Sequence, residues 1–475
     1  MTPSAGPPVP PSGAARAWHA ELAWLPALGV CPNVLIEAAG DRFTAITPGL
    51  PAPSIPAGLR AGLTRLPGLT LPGLANAHSH AFHRALRGAT QAGLGTFWTW
   101  RDRMYEVAAR LDPDSCLALA RAVYAEMALA GITCVGEFHY LHHGPGGIPY
   151  QDPNEMGRAM IAAAAQAGIR ITLLDTCYLS GGLSPDGRFE PLAGPQARFG
   201  DRDGEAWAAR AERLGADEHG RLGPLARAGA AIHSVRAVPA AQMHPVIAWA
   251  HRYGAPLHAH LSEQRAENEA SLAAYRRTPA EVLYEAGALG PRATVVHATH
   301  LVGRDVELLG GSRSYACFCP TTEADLADGI GPARALATAG CPLTLGTDSQ
   351  AVIDMFEEAR RVELGERLAS GKRGSFRAGE LARAATTDGH ASLGWPDAGE
   401  IAAGAIADLV TVTLDSPRLA GATRATALAS VIFAASAADI RRVVVGGSDL
   451  VVDGHHLLVD DVPAALSEAV RAALG

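Results

Sequence analysis

Lysine is all but missing from this chain of 475 residues: it occurs once, at Lys372, so arginine supplies the other 39 of the 40 basic residues. An excess of positive charge is missing too. With a net charge of -8 and a pI near 6.1, no basic stripe offers nucleic acid or an anionic lipid surface a footing, and both are excluded as main partners. No stretch of about 18 uncharged apolar residues occurs, so no membrane span or membrane partner is expected. Residues 1–15, rich in Pro, Ala, Gly and Ser, lack the basic start and apolar core of a secretion signal; they read as a flexible tail on a cytoplasmic protein. The seven cysteines are odd in number and scattered, which excludes a regular disulfide framework. Cys317 and Cys319 form a C-x-C pair with no second pair at zinc-finger spacing, and read as strand residues.

What is present is a repeating pattern. Eight short apolar runs alternate with alanine-rich helical stretches: Leu69 to Leu74, Ile132 to Phe138, Ile169 to Leu174, Ala230 to Val235, Ala255 to His260, Ala293 to His297, Ser314 to Cys319 and Pro342 to Gly346. Capping side chains precede proline at Asp112-Pro113, Asp152-Pro153 and Thr278-Pro279, while Gly131 and Gly168 stand where helices should stop. Repeated βα units of this kind predict an α/β fold, a closed (β/α)8 TIM-type barrel over residues 69–389. Strand-like pieces at Trp18 to Trp24, Asn33 to Ala38, Phe43 to Thr47, Asp408 to Leu414, Arg442 to Val445 and Leu450 to Val452 predict a small β-sandwich domain built from both termini, over 16–68 and 390–475.

The barrel runs end in polar residues, and in such barrels the C-terminal rim carries the active site. His78 and His80, two residues apart in extended backbone, share a face and can reach one ion. With His260 at the fifth run and Asp348 at the eighth they supply three nitrogens and one oxygen, a donor set suited to a single Zn2+, with Fe2+ as the alternative. His258 shares the face of His260 and competes for the same role. His260 is preferred because Glu263, three residues on, can reach a water at the ion. A binuclear centre bridged by a carbamylated lysine is excluded, since Lys372 follows the last barrel run; a bridge would need another group, such as Glu137.

The stretches PGLANAHSHAFHRALRG, FWTWRDRMY, GEFHYLHH, HSVRAVP, HAHLSEQ, VHATH, CPTTEADLADGI and LGTDS run from Pro72 to Ser349. In content and order they resemble the amidohydrolase superfamily and, within it, the formimidoylglutamate deiminases of histidine degradation. The resemblance implies zinc on His78, His80, His260 and Asp348, with Glu263, His297 and Asp348 in proton transfer and polarisation. It also implies substrate contacts from Arg101, Tyr140 and Arg236, and the guanidinium groups of the two arginines suit a small dicarboxylate. The chain departs from the pattern at His83, where the family commonly has Gln, and at Gln350, where it has His; His83 can still donate a hydrogen bond to substrate, whereas Gln350 cannot titrate. The implied reaction is hydrolysis of N-formimino-L-glutamate to N-formyl-L-glutamate and ammonia. A one-metal deaminase of guanine, cytosine or another heteroaromatic amine is the alternative, followed by a zinc-binding paralogue without turnover. A homodimer is the expected assembly.

Overall fold

The computed structural model describes residues 15–60, 62–92, 95–215 and 222–475, so all of the expected tail except Ala15 lies outside the described residues. Four strands come first: β1 (Ala15–Leu25), β2 (Gly29–Ala39), β3 (Arg42–Thr47) and β4 (Leu63–Pro72). Then follow β5 (Leu74–Ser79), β6 (Ile132–His139), β7 (Arg170–Cys177), a small hairpin of β8 (Gly182–Leu183) and β9 (Phe189–Glu190), β10 (Ala226–Ile232), β11 (Leu257–Leu261), β12 (Ala293–His297), β13 (Tyr315–Phe318) and β14 (Leu343–Leu345). The last four are β15 (Leu409–Val412), β16 (Ile440–Val445), β17 (Ser448–Val452) and β18 (His455–His456).

Strands β5, β6, β7, β10, β11, β12, β13 and β14 form one parallel sheet in that spatial order, with helices in the connections. Every residue of β6 and β7 is buried, as expected for strands covered on both faces, and this explains why their sequences read as mainly apolar runs, with charged residues and histidine only at Arg170 and towards the C-terminal ends. The sheet closes on itself at the rim. Ser79 of β5 bridges to Asp348 just past β14; the Asp348 amide donates to the His78 carbonyl at 3.0 Å, and the His80 amide to the Asp348 carbonyl at 3.1 Å.

The terminal segments build a second eight-stranded sheet, in the order β3-β2-β1-β4-β15-β16-β17-β18. It has a core of its own, in which Trp18, Val34, Phe43, Leu66, Leu409 and Val444 pack together. The run Leu69 to Leu74, read above as the first barrel strand, divides between the two sheets: Leu69 to Pro72 pair with β15, and only Leu74 enters the barrel. The break falls at Gly73, whose amide donates to the Asp408 carbonyl at 3.0 Å and where a Cβ would lie 2.3 Å from Thr133 Oγ1. Only glycine lets the chain pass that close. Apolar content alone did not reveal this switch, because both sheets bury the run equally.

Asp112 and Thr278 cap their helices as expected, accepting from the amides of Ser115 and Glu281. Gly168 ends its helix in the left-handed conformation. Asp152 differs: it accepts from Asn154 in the turn before the helix Glu155–Ala167. Among the described residues no helix is long and apolar enough to cross a membrane.

Candidate active site

The rim where the barrel closes brings four side chains together. His78 Nε2 and His80 Nε2 each lie 3.4 Å from Asp348 Oδ1, and His260 Nε2 lies 3.1 Å from His78 Nε2. Ligand atoms around a tetrahedral zinc, each about 2.0–2.1 Å from the metal, stand about 3.3 Å apart, which these three spacings match; His78, His80 and Asp348 form one tight donor group and His78, His260 and His297 another, with His78 shared. The far ring nitrogens fix the tautomers. His80 Nδ1 faces the Phe138 carbonyl at 2.8 Å and His260 Nδ1 the His233 carbonyl at 2.9 Å, so each donates there and turns the lone pair of Nε2 inward. Burial, with the neighbouring imidazoles adding to it, holds His78 and His260 well below the usual histidine range and lowers His80 to about 3. Neutral imidazole is the form a metal binds.

Backbone strain gathers at the same rim. Ser262, His297, Ala298, Asp348 and Gln350 are non-glycine residues with φ between 45° and 70°. Each such conformation costs on the order of 1–3 kcal/mol, and persists where surrounding structure holds it for a use.

Beside the cluster stand two acids and the sixth-strand histidine. Glu263 Oε1 and Asp348 Oδ2 each lie 3.9 Å from His297 Nε2, while His297 Nδ1 faces Glu323 Oε1 at 3.4 Å. Burial opposes a charge on His297, but Glu263, Glu323 and Asp348 outweigh it and raise the ring to about 10. Glu323 also accepts from the Cys319 amide at 2.8 Å, which fixes its carboxylate as the support of the His297 ring.

These groups line a cavity of about 260 Å3, and every sequence-proposed site residue borders it except His78, which is fully buried behind the others. His83 and Tyr140 meet at 3.0 Å through Nε2 and the hydroxyl. The two arginines differ in a way their sequence positions do not reveal. Arg236 is already paired, with Glu263 at 3.1 Å and Glu267 at 3.4 Å. Arg101 lies over the Trp98 ring at 4.5 Å and the Tyr105 ring at 5.6 Å, and has no ion pair among the described residues. Of the two arginines lining the cavity, it is the one without a carboxylate partner among the described residues.

Several ambiguities resolve. His258 sits one layer deeper than His260, bonded to the Ser392 carbonyl at 3.1 Å, and does not border the cavity. Glu137 is occupied by the Ser79 hydroxyl at 2.8 Å and the Ala81 amide at 2.7 Å, and joins none of the clustered donor groups. Gln350 faces away from the cavity: its amide donates to Ser79 Oγ and the Asp348 carbonyl, both at 2.9 Å, and accepts from Thr347 Oγ1 at 2.7 Å. The departure there is a structural cross-link between the first and last barrel strands. Sequence reading missed His233 and the aromatic wall of Phe97, Trp98, Trp100, Tyr105 and Tyr178 at the cavity, and Glu267 and Glu323 behind Arg236 and His297. The position of His233 past the fourth strand was a usable signal. Four members of the wall lie in the stretch FWTWRDRMY, from which sequence reading singled out only Arg101; Tyr178, in the loop after β7, had no signal.

A family model for the amidohydrolase family matches residues 69–449, four-fifths of the chain. The chain belongs to the amidohydrolase family. It is 37% identical over 451 residues, 92% of this chain and 95% of the relative, to formimidoylglutamate deiminase of Pseudomonas aeruginosa. It is 33% identical over 392 residues, 81% of this chain and 83% of the relative, to 8-oxoguanine deaminase of the same organism. Among solved structures it is similar to an amidohydrolase from Brucella melitensis, with a TM-score of 0.87 and 31% identity, covering 97% of this chain and 100% of that one. This amidohydrolase therefore shares its barrel and its terminal sheet with relatives along nearly its whole length.

Proposed function

We propose that the protein hydrolyses N-formimino-L-glutamate to N-formyl-L-glutamate and ammonia, with one zinc ion held by His78, His80, His260 and Asp348. The observation that carries the substrate class is Arg101, an unpaired guanidinium at the cavity that holds the four-donor cluster. A linear amidine bearing carboxylates suits both features, and the 37% identical deiminase supports the same reading. When bound, the ion would act as a Lewis acid and lower the pKa of a water towards about 7.

The protein's own groups do the rest. Arg101 holds one carboxylate of the substrate, Arg236 reaches the other, and His83 with Tyr140 closes the side of the cavity. Water adds to the formimino carbon, giving a tetrahedral carbon that carries a hydroxyl and an amino group. Glu263 takes the proton from that water and delivers it to the imino nitrogen. His297 donates from Nε2 to the new oxygen, and its orientation is kept by Glu323. Asp348 accepts the remaining hydroxyl proton and, through Glu263, that proton passes to the amino nitrogen as the carbon–nitrogen bond breaks, leaving the formyl group and ammonia. The arginines fix the glutamate part so that the amidine carbon alone faces the cluster. The reading takes the enzyme to act in the cytoplasm, as a homodimer, with no nucleic acid or membrane partner.

The aromatic wall favours a second reading, deamination of a heteroaromatic amine, in line with the 33% identical 8-oxoguanine deaminase. Two of those rings already have partners in the protein: Trp98 lies under Arg101, and Trp100 meets His83 edge-on at 5.0 Å. Ammonia release by metal-replete enzyme from N-formimino-L-glutamate, guanine, cytosine and 8-oxoguanine separates the two. Preference for any of the heterocycles overturns the first reading.

A further inference from the structure

Arg236 faces two carboxylates with one positive charge. Its Nη2 lies 3.1 Å from Glu263 Oε2, and its Nε lies 3.4 Å from Glu267 Oε2. Glu267 belongs to the first turn of the helix Arg265–Tyr275, is 1% exposed, and has the Ser262 and Glu263 backbone amides beside its carboxylate. A carboxylate so buried is costly unless a charge answers it, and Arg236 is the charge that does so. Just before the first of the two acids the chain turns through Ser262 at φ 50°, which carries Glu263 to the rim.

The geometry points to Glu267 as a positioning residue: it draws Arg236 partly off Glu263, so that Glu263 is aimed without being captured, and it tempers the pull of Arg236 on the substrate carboxylate. The inference rests on the proposed reaction and adds a residue with no contact to substrate. Without Glu267, a guanidinium answered by a single carboxylate would grip Glu263 harder and hinder the reorientation that proton transfer needs. The same unanswered charge would hold an anionic substrate more tightly. Loss of the Glu267 charge therefore lowers kcat and KM together, a pairing that simple loosening of the site does not produce, since loosening raises KM.

The test compares steady-state kinetics of wild type, E267Q and E267D on N-formimino-L-glutamate, with thermal midpoints measured alongside. E267Q keeps the shape and removes the charge. Its kcat should fall about tenfold, the scale of one partly buried charge interaction, with KM falling in parallel. E267D, which keeps a carboxylate one methylene farther from Arg236, should shift both constants in the same direction by less, and it serves alone if E267Q does not fold. Glutarate, a dicarboxylate with no amidine, should bind more tightly to E267Q than to wild type by calorimetry. A KM that is unchanged or raised, or an Asp variant worse than the Gln variant, overturns the inference in favour of plain packing. Wild-type enzyme that neither turns over the amidine nor binds glutarate overturns the proposed reaction itself, and the inference with it; wild-type turnover with the wrong variant pattern overturns the inference alone.

Discussion

Adding one methyl group to Gly346 should weaken the proposed metal site while leaving most of the fold intact. Gly346 lies where β14 meets β5, and a Cβ there would stand 2.7 Å from both His78 Cβ and the His78 carbonyl oxygen, and 3.0 Å from Cys319 Sγ. Two of those three atoms belong to the ligand-bearing strand near its backbone, so no flexible side-chain tip can yield. Reaching an ordinary contact of at least 3.4 Å requires the strands to part by about 0.7 Å. The barrel is closed there by two hydrogen bonds, Asp348 to His78 and His80 to Asp348, and the parting acts directly on the 3.4 Å spacings that Asp348 Oδ1 makes with both histidines. A binding constellation tolerates roughly 0.5 Å of displacement, and disturbing the support of metal ligands typically costs about 10–100-fold in affinity. Overpacking itself costs about 1–3 kcal/mol. For G346A we therefore expect zinc retention after dialysis against a graded chelator series to fail at 10–100-fold lower chelator strength than for wild type, with only a modest drop in the thermal midpoint of the metal-free protein. Wild-type zinc retention by elemental analysis, in a variant that folds, would refute the reasoning.

Replacing Glu263 by Gln should keep stoichiometric zinc and lower kcat by about 10²–10⁴-fold, and near-normal ammonia release by such a variant removes Glu263 from the proton path. For R101A, the loss of a charge-assisted contact worth about 1.5–3 kcal/mol should raise KM for the dicarboxylate by roughly 10–100-fold with a smaller change in kcat; an equal loss on a neutral amidine would show that Arg101 only supports packing. Acid stability offers a check away from the site. Burial raises the Asp175 carboxyl most, but Arg210, paired at 2.7 Å, outweighs it and depresses the group to about 2. A depressed acid stabilises the fold above its unfolded value of about 3.9, and that contribution, on the order of 2 kcal/mol, is lost as pH falls from about 4 to about 2. D175N should thus be less stable than wild type at neutral pH, and its thermal midpoint should fall less steeply across that window; parallel curves would contradict the assignment.

Periodicity carried much of the design in plain view. The i, i+2 spacing of His78 and His80, the polar residue at the end of each apolar run, and the single late lysine all follow from local chain geometry, in which a strand alternates its faces and presents its last residues at the rim. The strand runs at Ile132, Ala293 and Pro342 are recognisable because strands buried on both faces must be apolar along their length. The division of Leu69 to Leu74 between two sheets lay beyond that reach: it depends on Thr133 and Asp408 crowding Gly73, contacts made across 60 and more than 300 residues.

Chemistry at the site divides the same way. Which residue types could hold an ion or move a proton was inherent in the amino-acid sequence, since donor atoms and strand-end positions are local properties. Which of them face the cavity was decided by tertiary contacts: His258 is drawn down to Ser392, Gln350 is turned to Ser79, and Arg236 is taken up by two acids while Arg101 has none among the described residues. A side chain's partner is set by what lies a few ångströms away in space. In a closed barrel, that neighbour comes from strands that only the complete fold brings side by side.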